Sequence, residues 1–177
     1  RQLGNRLGEA IGLLHLGQFA LWRGDDADAR EQLEQSLNVA SEIGNREIEG
    51  ECELLLGEAA FEADELGEAR KRFERSMAVC VEAADTNGEA RAKWWLGRIA
   101  LHAGDAHTAR RQLNEALRAF QASEMREELI GCLEDHAVLL LSERRPADGM
   151  NIAAMAAATR ERLKLVRSPR GEANWQQ

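Results

Sequence analysis

The chain has 177 residues, enough for one domain with a good core, and its composition is 44% hydrophobic and 31% charged, with two prolines and no tyrosine. That balance suits helices and is short of the β-branched and aromatic residues that strands favour. A formal net charge of −8 argues against a nucleic-acid surface, which must neutralise phosphates with a basic field, and no apolar run approaches the roughly 20 residues of a membrane span.

The predicted elements follow one another at short, regular intervals. Residues 3–6, Leu-Gly-Asn-Arg, match Ile43-Gly44-Asn45-Arg46 in type, so the chain is expected to begin where an earlier unit stops, as a fragment of a longer array. A first helix is predicted over about 6–22. Gly24 suits the left-handed residue that ends it, and Asp25 or Asp26 can cap the next helix, 26–42. Gly44 ends that helix and Asn45 caps a third over about 46–63. A fourth covers 66–83, Asp85 or Thr86 caps a fifth that stops before Gly104, and Asp105 caps a sixth over 106–122. A seventh spans about 126–143. Pro146 fits the first turn of an eighth, where its missing N–H costs nothing, and this helix should end near Leu165, leaving 166–177 irregular.

These helices repeat in pairs. Leu16-Gly17, Ala20, Gly24-Asp25, Ala29-Arg30, Leu33 and Ser36-Leu37 recur forty residues on as Leu56-Gly57, Ala60, Ala69-Arg70, Phe73 and Ser76-Met77. Forty further on stand Leu96-Gly97, Ala100, Gly104-Asp105, Ala109-Arg110, Leu113 and Ala116-Leu117. A fixed period of this size marks a solenoid, whose units bury their apolar faces on one another. The fourth unit is atypical: His136-Ala137 replaces Leu-Gly, Gly149 replaces the helix-opening Ala, and Ala153 fills the large apolar slot. A terminal unit is expected to differ in this way. Leu163, Leu165, Val166 and Trp175 are candidates to cover its last face.

The pattern resembles the tetratricopeptide repeat, in which Leu-Gly and a small residue lie on the first helix (A), a Gly-Asp turn follows, and the second helix (B) opens with Ala. Residues 50–89 depart from it at the turn, Asp64-Glu65-Leu66-Gly67. The usual unit is about 34 residues, so units of 40 imply longer helices. The resemblance implies an all-α, right-handed α-solenoid of helix hairpins, with about four units and a C-terminal cap. These form a single domain over 1–177, with units at 10–49, 50–89, 90–129 and 130–165 and a tail at 166–177. In it Gly17, Gly57 and Gly97 let helices A and B approach closely, and Leu33, Phe73 and Leu113 fill the groove beside them. The unit length and ends such as Ile43-Gly44-Asn45-Arg46 are most similar to the C-terminal repeat arrays of bacterial signal-transduction ATPases and LuxR-type regulators of the maltose-regulator kind.

No catalytic motif is present: there is no Gly-rich phosphate loop, HExxH, GxSxG or CxxC. His15, His102, His107 and His136 lack a second histidine at ligand spacing, so neither a metal nor a cofactor is expected, and the chain reads as a non-enzyme. Cys52, Cys80 and Cys132 are far apart and odd in number, and read as small buried thiols in a reduced, cytoplasmic setting. The basic residues Arg160, Arg162, Lys164, Arg167 and Arg170 read as favourable charge at a helix C-terminus followed by a solvated tail.

The positions that change most between units share one face of helix A. They are Ile11, His15, Gln18 and Trp22, then Glu51, Leu55, Glu58 and Glu62, then Arg91, Trp95, Arg98 and His102. By the resemblance this face lines a concave groove, and Gln18, Trp22, Glu58, Glu62, Arg91, Trp95, Arg98 and His102 are the candidate site for a protein, a peptide or a small effector. Trp94 matches Leu14 and Leu54 and belongs to the core, which leaves Trp95 as the groove aromatic. A second reading stays open, because Glu51, Glu58 and Glu62 stand in register with Arg91, Arg98 and His102 and would form an ion-pair ladder. As a whole, the chain reads as a binding module of a larger regulator. The alternative is a self-assembly segment that forms homo-oligomers through an open N-terminal face.

Overall fold

The computed structural model describes residues 2–166, with side chains from Asn5 onward. Among the described residues there are eight α-helices and no strand. They are α1 (Gln2–Arg23), α2 (Asp26–Ile43), α3 (Arg46–Glu62), α4 (Leu66–Glu82), α5 (Thr86–His102), α6 (Ala106–Ala122), α7 (Arg126–Ser142) and α8 (Pro146–Leu163). The expected boundaries agree to within two residues except at the start of α1, which begins at Gln2 rather than near Arg6. Gly4 and Asn5 therefore continue a helix instead of ending one. At Gly44 the left-handed residue caps α2 by donating its N–H to the Ala40 and Ser41 carbonyls, whereas Gly4 lies within α1.

One turn geometry recurs every 20 residues. Gly24, Gly44 and Gly104 have φ of 82°, 68° and 74°, and Asp64, Ala84, Glu124, Arg144 and Lys164 take the same region at 55–60°. The next N–H then bonds back five residues, as in Asp25→Ala20, Glu65→Ala60 and Leu165→Arg160 at 2.9–3.1 Å, which closes the helix end. The departure at Asp64 is thus silent in conformation, although a non-glycine residue there carries a strain of roughly 1 kcal/mol. Caps follow the sequence. The carboxylate or amide oxygens of Asp25, Asn45 and Asp105 accept from the N–H of Asp28, Ile48 and Thr108, and Asp85, not Thr86, caps α5 through Asn87 and Gly88.

Residues through Gly88 form one compact unit and Glu89–Val166 a second. In the first unit, a Cβ added at Gly17 would lie 2.5 Å from Leu33, and one at Gly57 2.5 Å from Phe73; in the second, one at Gly97 would lie 2.9 Å from Leu113. All three large residues are fully buried, so the glycines mark the close approach of A and B helices, as expected. The small slot beside them has a further role. Ser36 Oγ donates to the Ala10 carbonyl at 2.7 Å and Ser76 Oγ to the Gly50 carbonyl at 2.8 Å, tying each B helix to its A helix. Ion pairs join successive turns at the surface: Arg6 with Glu42, Arg46 with Glu82, and Arg110 with Glu143. At the end of the second unit Leu163 and Leu165 are half-buried while Val166 is 84% exposed; Trp175, Arg167, Arg170 and the rest of the expected tail from 167 lie outside the described residues.

Candidate functional site

Each unit presents its own variable A-helix face. In the first, Gln18 of α1 is half-buried; it accepts from His15 Nδ1 at 3.0 Å and donates its amide to Glu51 Oε1 of α3 at 3.4 Å. Glu58 and Glu62 lie half-buried on the same side of α3. Trp22 is 52% exposed and stacks on Phe19 with ring centres 6.2 Å apart. Arg23 lies 5.3 Å over Phe19. The face of this unit is therefore acidic and hydrogen-bonded between its two A helices, with one aromatic ring open to solvent at its end.

In the second unit Arg91 and Arg98 are half-buried and His102 is exposed. Trp95 does not behave as the expected open groove aromatic: it is only 7% exposed. Its ring tilts against Trp94 at 5.9 Å, and the Arg98 guanidinium sits 4.2 Å above it, covering the face that would otherwise meet a ligand. Trp94 is in the core, as expected. It packs edge-on to Phe120 at 5.8 Å, and a Cβ at Gly131 would lie 2.8 Å from its ring, so that glycine admits the indole against α7.

Sequence reasoning missed Asp135. Trp94 donates its Nε1–H to Asp135 Oδ2 at 2.6 Å, and Arg98 Nε lies 3.6 Å from Asp135 Oδ1. Burial pushes the Asp135 carboxyl above the ordinary carboxylate range, opposed by the Arg98 charge and the Trp94 hydrogen bond. The signal was available: Asp135 stands forty residues after Trp95, in the same slot of the fourth unit, which had been set aside as a cap. Arg98 is thus already held by a carboxylate within its own unit.

The remaining chemistry is structural. Cys132 and His136 look like a thiol–imidazole pair at 3.9 Å, but Cys132 is fully buried and desolvation raises its thiol far above the reactive range. The His136 ring is occupied by the Cys132 carbonyl at 2.9 Å and Asn114 Oδ1 at 3.1 Å. Cys52 is similarly pushed up to about 11 by burial. Among the described residues no group of three or more His, Cys, Asp or Glu has metal-binding geometry, and no helix is long and apolar enough to cross a membrane.

Comparisons with known proteins agree with this geometry. The apo form of RapI has the same fold at 12% identity, with a TM-score of 0.76 over 89% of this chain and 57% of that one. This chain therefore spans little more than half the length of RapI. The TPR-like repeats of a Podosopora anserina protein described as a kinesin light chain superpose with a TM-score of 0.64 at 15% identity, over 89% and 77% of the two chains. No curated protein matches the chain in sequence. The fold is an all-α repeat solenoid, and residues 8–82 and 52–122 match the tetratricopeptide repeat, so the chain belongs to the tetratricopeptide repeat family.

Proposed function

We propose that this chain is the partner-recognition module of a larger bacterial regulatory protein, working in the cytoplasm, and that it binds a protein or peptide segment, or a small anionic effector, on its A-helix faces. The observation that carries the reading is the contrast between slots. The inward slots repeat in type, as in Gly17, Gly57 and Gly97, whereas one A-helix slot that is at least partly exposed in every unit holds Gln18, Glu58, Arg98 and Val138 in turn. Packing does not call for that variation, and recognition does. The site residues are Gln18, Trp22, Glu58, Glu62, Arg91, Arg98 and His102, with Asp135 added and Trp95 as the floor beneath Arg98. The regulator context rests on the resemblance of the 40-residue units and their ends, and three unbridged, buried cysteines suit a reducing compartment.

Arg91, and Arg98 with an indole beneath it, suit a ligand that carries carboxylates beside apolar groups. A displayed random-peptide library selected on the 177-residue chain tests this. The selected peptides should be enriched in Asp, Glu and apolar residues, and Arg91→Glu should weaken the best synthetic peptide about tenfold or more. Thermal melting of Arg91→Glu is read in parallel, because the sequence also admits an ion-pair ladder through this slot. Lost binding at an unchanged melting temperature supports a ligand face. Unchanged binding with lowered stability leaves only the ladder.

A further inference from the structure

Arginines that fasten this fold hydrogen-bond their acids. In the first unit Arg72 meets Glu34 at 2.6 Å and Glu53 at 3.1 Å. In the second, Arg160 of α8 donates to both oxygens of Glu134 at 3.2 Å. These two arginine side chains are 17% and 10% exposed. Arg98 and Asp135 are paired differently. Arg98 Nε stands 3.6 Å from Asp135 Oδ1, and the arginine side chain is 25% exposed. A charge-assisted hydrogen bond closes to about 2.7–2.9 Å, so this pair attracts without the bond that would fix it.

The distance has a cause on the acid's side. Asp135 Oδ2 accepts from Trp94 Nε1 at 2.6 Å, and Trp94 is wedged between Phe120, edge-on at 5.8 Å, and Gly131. The carboxylate is therefore pinned to the core and does not follow the cation. Glu134, next to it on α7, is engaged by Arg160. Arg98 is held more loosely. Its guanidinium lies 4.2 Å over the Trp95 ring, a contact that fixes the plane of the group more than its place within that plane.

We propose that Asp135 is a built-in competitor for Arg98: it stands beside the guanidinium where a ligand carboxylate would act, and so decides which acids the second unit's A-helix face admits. This rests on the reading of that face as an acid-binding surface. A carboxylate that hydrogen-bonds Arg98 gains what the pinned Asp135 cannot give. Against that gain stand the attraction to Asp135 that is given up and the repulsion from its charge. A simple carboxylate offers no other contact to offset this loss. One carried on a partner's peptide segment, with apolar side chains seated beside it, does. The face is thereby tuned to acidic residues within an apolar peptide segment and against small free acids.

The test pans the displayed library in parallel on the wild-type 177-residue chain and on Asp135→Asn, whose amide oxygen still accepts from Trp94. The best acidic synthetic peptide is titrated calorimetrically against every variant, each checked for native helicity. Asp135→Asn should bind it at least about fivefold more tightly than wild type. In an Arg98→Gln background the same change should have no effect, which separates competition for Arg98 from a general loss of negative charge. Trp94→Phe keeps a ring against Phe120 but unpins Asp135, which then closes on Arg98, so binding should weaken by a similar factor. Acetate at millimolar concentration should not displace the peptide from wild type.

The proposal is overturned by Asp135→Asn binding that is equal or weaker, by a gain that survives Arg98→Gln, by Trp94→Phe binding that is unchanged or tighter, or by displacement with acetate. If neither chain selects acidic peptides, the acid-binding reading falls and this inference with it. If the wild type binds an acidic peptide through Arg91 while Asp135→Asn changes nothing, that reading stands and only the competitor role is lost.

Discussion

Replacing Gly57 by alanine sets two known effects against each other. Alanine is the better helix former by about 1 kcal/mol, so in an open helical position the change stabilises. At Gly57, however, the new Cβ would sit 2.5, 2.7 and 2.9 Å from three ring carbons of Phe73, and carbon contacts prefer about 3.5–4.0 Å. Phe73 is fully buried, so the ring has no free volume to turn into and the A and B helices must separate by about 1 Å. Overpacking of this kind costs about 1–3 kcal/mol, which leaves a net loss of up to about 2 kcal/mol and a fall in Tm of several degrees at this chain length. Gly12 supplies the control: it too is mid-helix, and an added Cβ meets nothing within 4 Å. Gly12→Ala should therefore raise Tm by about 2–4 °C. Thermal melts followed by circular dichroism on dilute samples read both signs. A stabilised Gly57→Ala would refute the argument that this glycine is present for close approach.

Trp95→Ala should cost about 3–5 kcal/mol, as for other buried aromatics, while Trp22→Ala leaves Tm within a few degrees; equal melting temperatures would show that the burial of Trp95 is wrong. Asp105 has a lowered pKa because Thr108 hydrogen-bonds its carboxylate through side chain and backbone, so it stabilises the fold above the unfolded carboxylate value of about 3.9. That contribution disappears as pH falls through the lowered folded value. Asp105→Asn keeps a cap but should flatten the loss of stability below about pH 4, and identical acid-melting curves would contradict this.

What could be read from the sequence follows the strength of the local signal. Helix ends were most legible where Gly24, Gly44 and Gly104 take a left-handed φ that glycine adopts without strain, and where Asp25, Asn45 and Asp105 satisfy orphan N–H groups. The turn at Asp64 departed in type and not in shape, since once the flanking helices pack, the bond from the Glu65 N–H back five residues to the Ala60 carbonyl holds an aspartate where glycine would fit better. At the start of α1 the same type of pair behaves differently: Gly44-Asn45 ends α2, whereas Gly4-Asn5 lies inside α1. The core slots were legible from the period alone. The burial of Trp95 was not, because periodicity assigns a face to a residue and does not say what will cover it.

The geometry of Arg98 shows how that covering is decided. A slot on one A helix acts with slots on its neighbour: Gln18 of α1 bonds Glu51 of α3, and Arg98 of α5 approaches Asp135 of α7 while its guanidinium lies on Trp95. In each case a residue in the third variable slot of one helix reaches the first or second variable slot of the next. A long, cationic side chain in the third slot can therefore roof an aromatic in the second slot of its own helix, provided that the neighbouring helix supplies an acid to hold it. An unpaired guanidinium would lose more by leaving water than it gains from the ring. Asp135 meets that condition in the second unit. In the first unit Gln18 carries no charge, the second slot of α1 is His15, and the exposed ring, Trp22, sits in the fourth slot beyond the reach of such a roof. The chemistry of a face in this fold is thus set by pairs of slots on adjacent A helices, and comparing single slots across units, the step that singled out Trp95, assigns the open aromatic to the wrong residue.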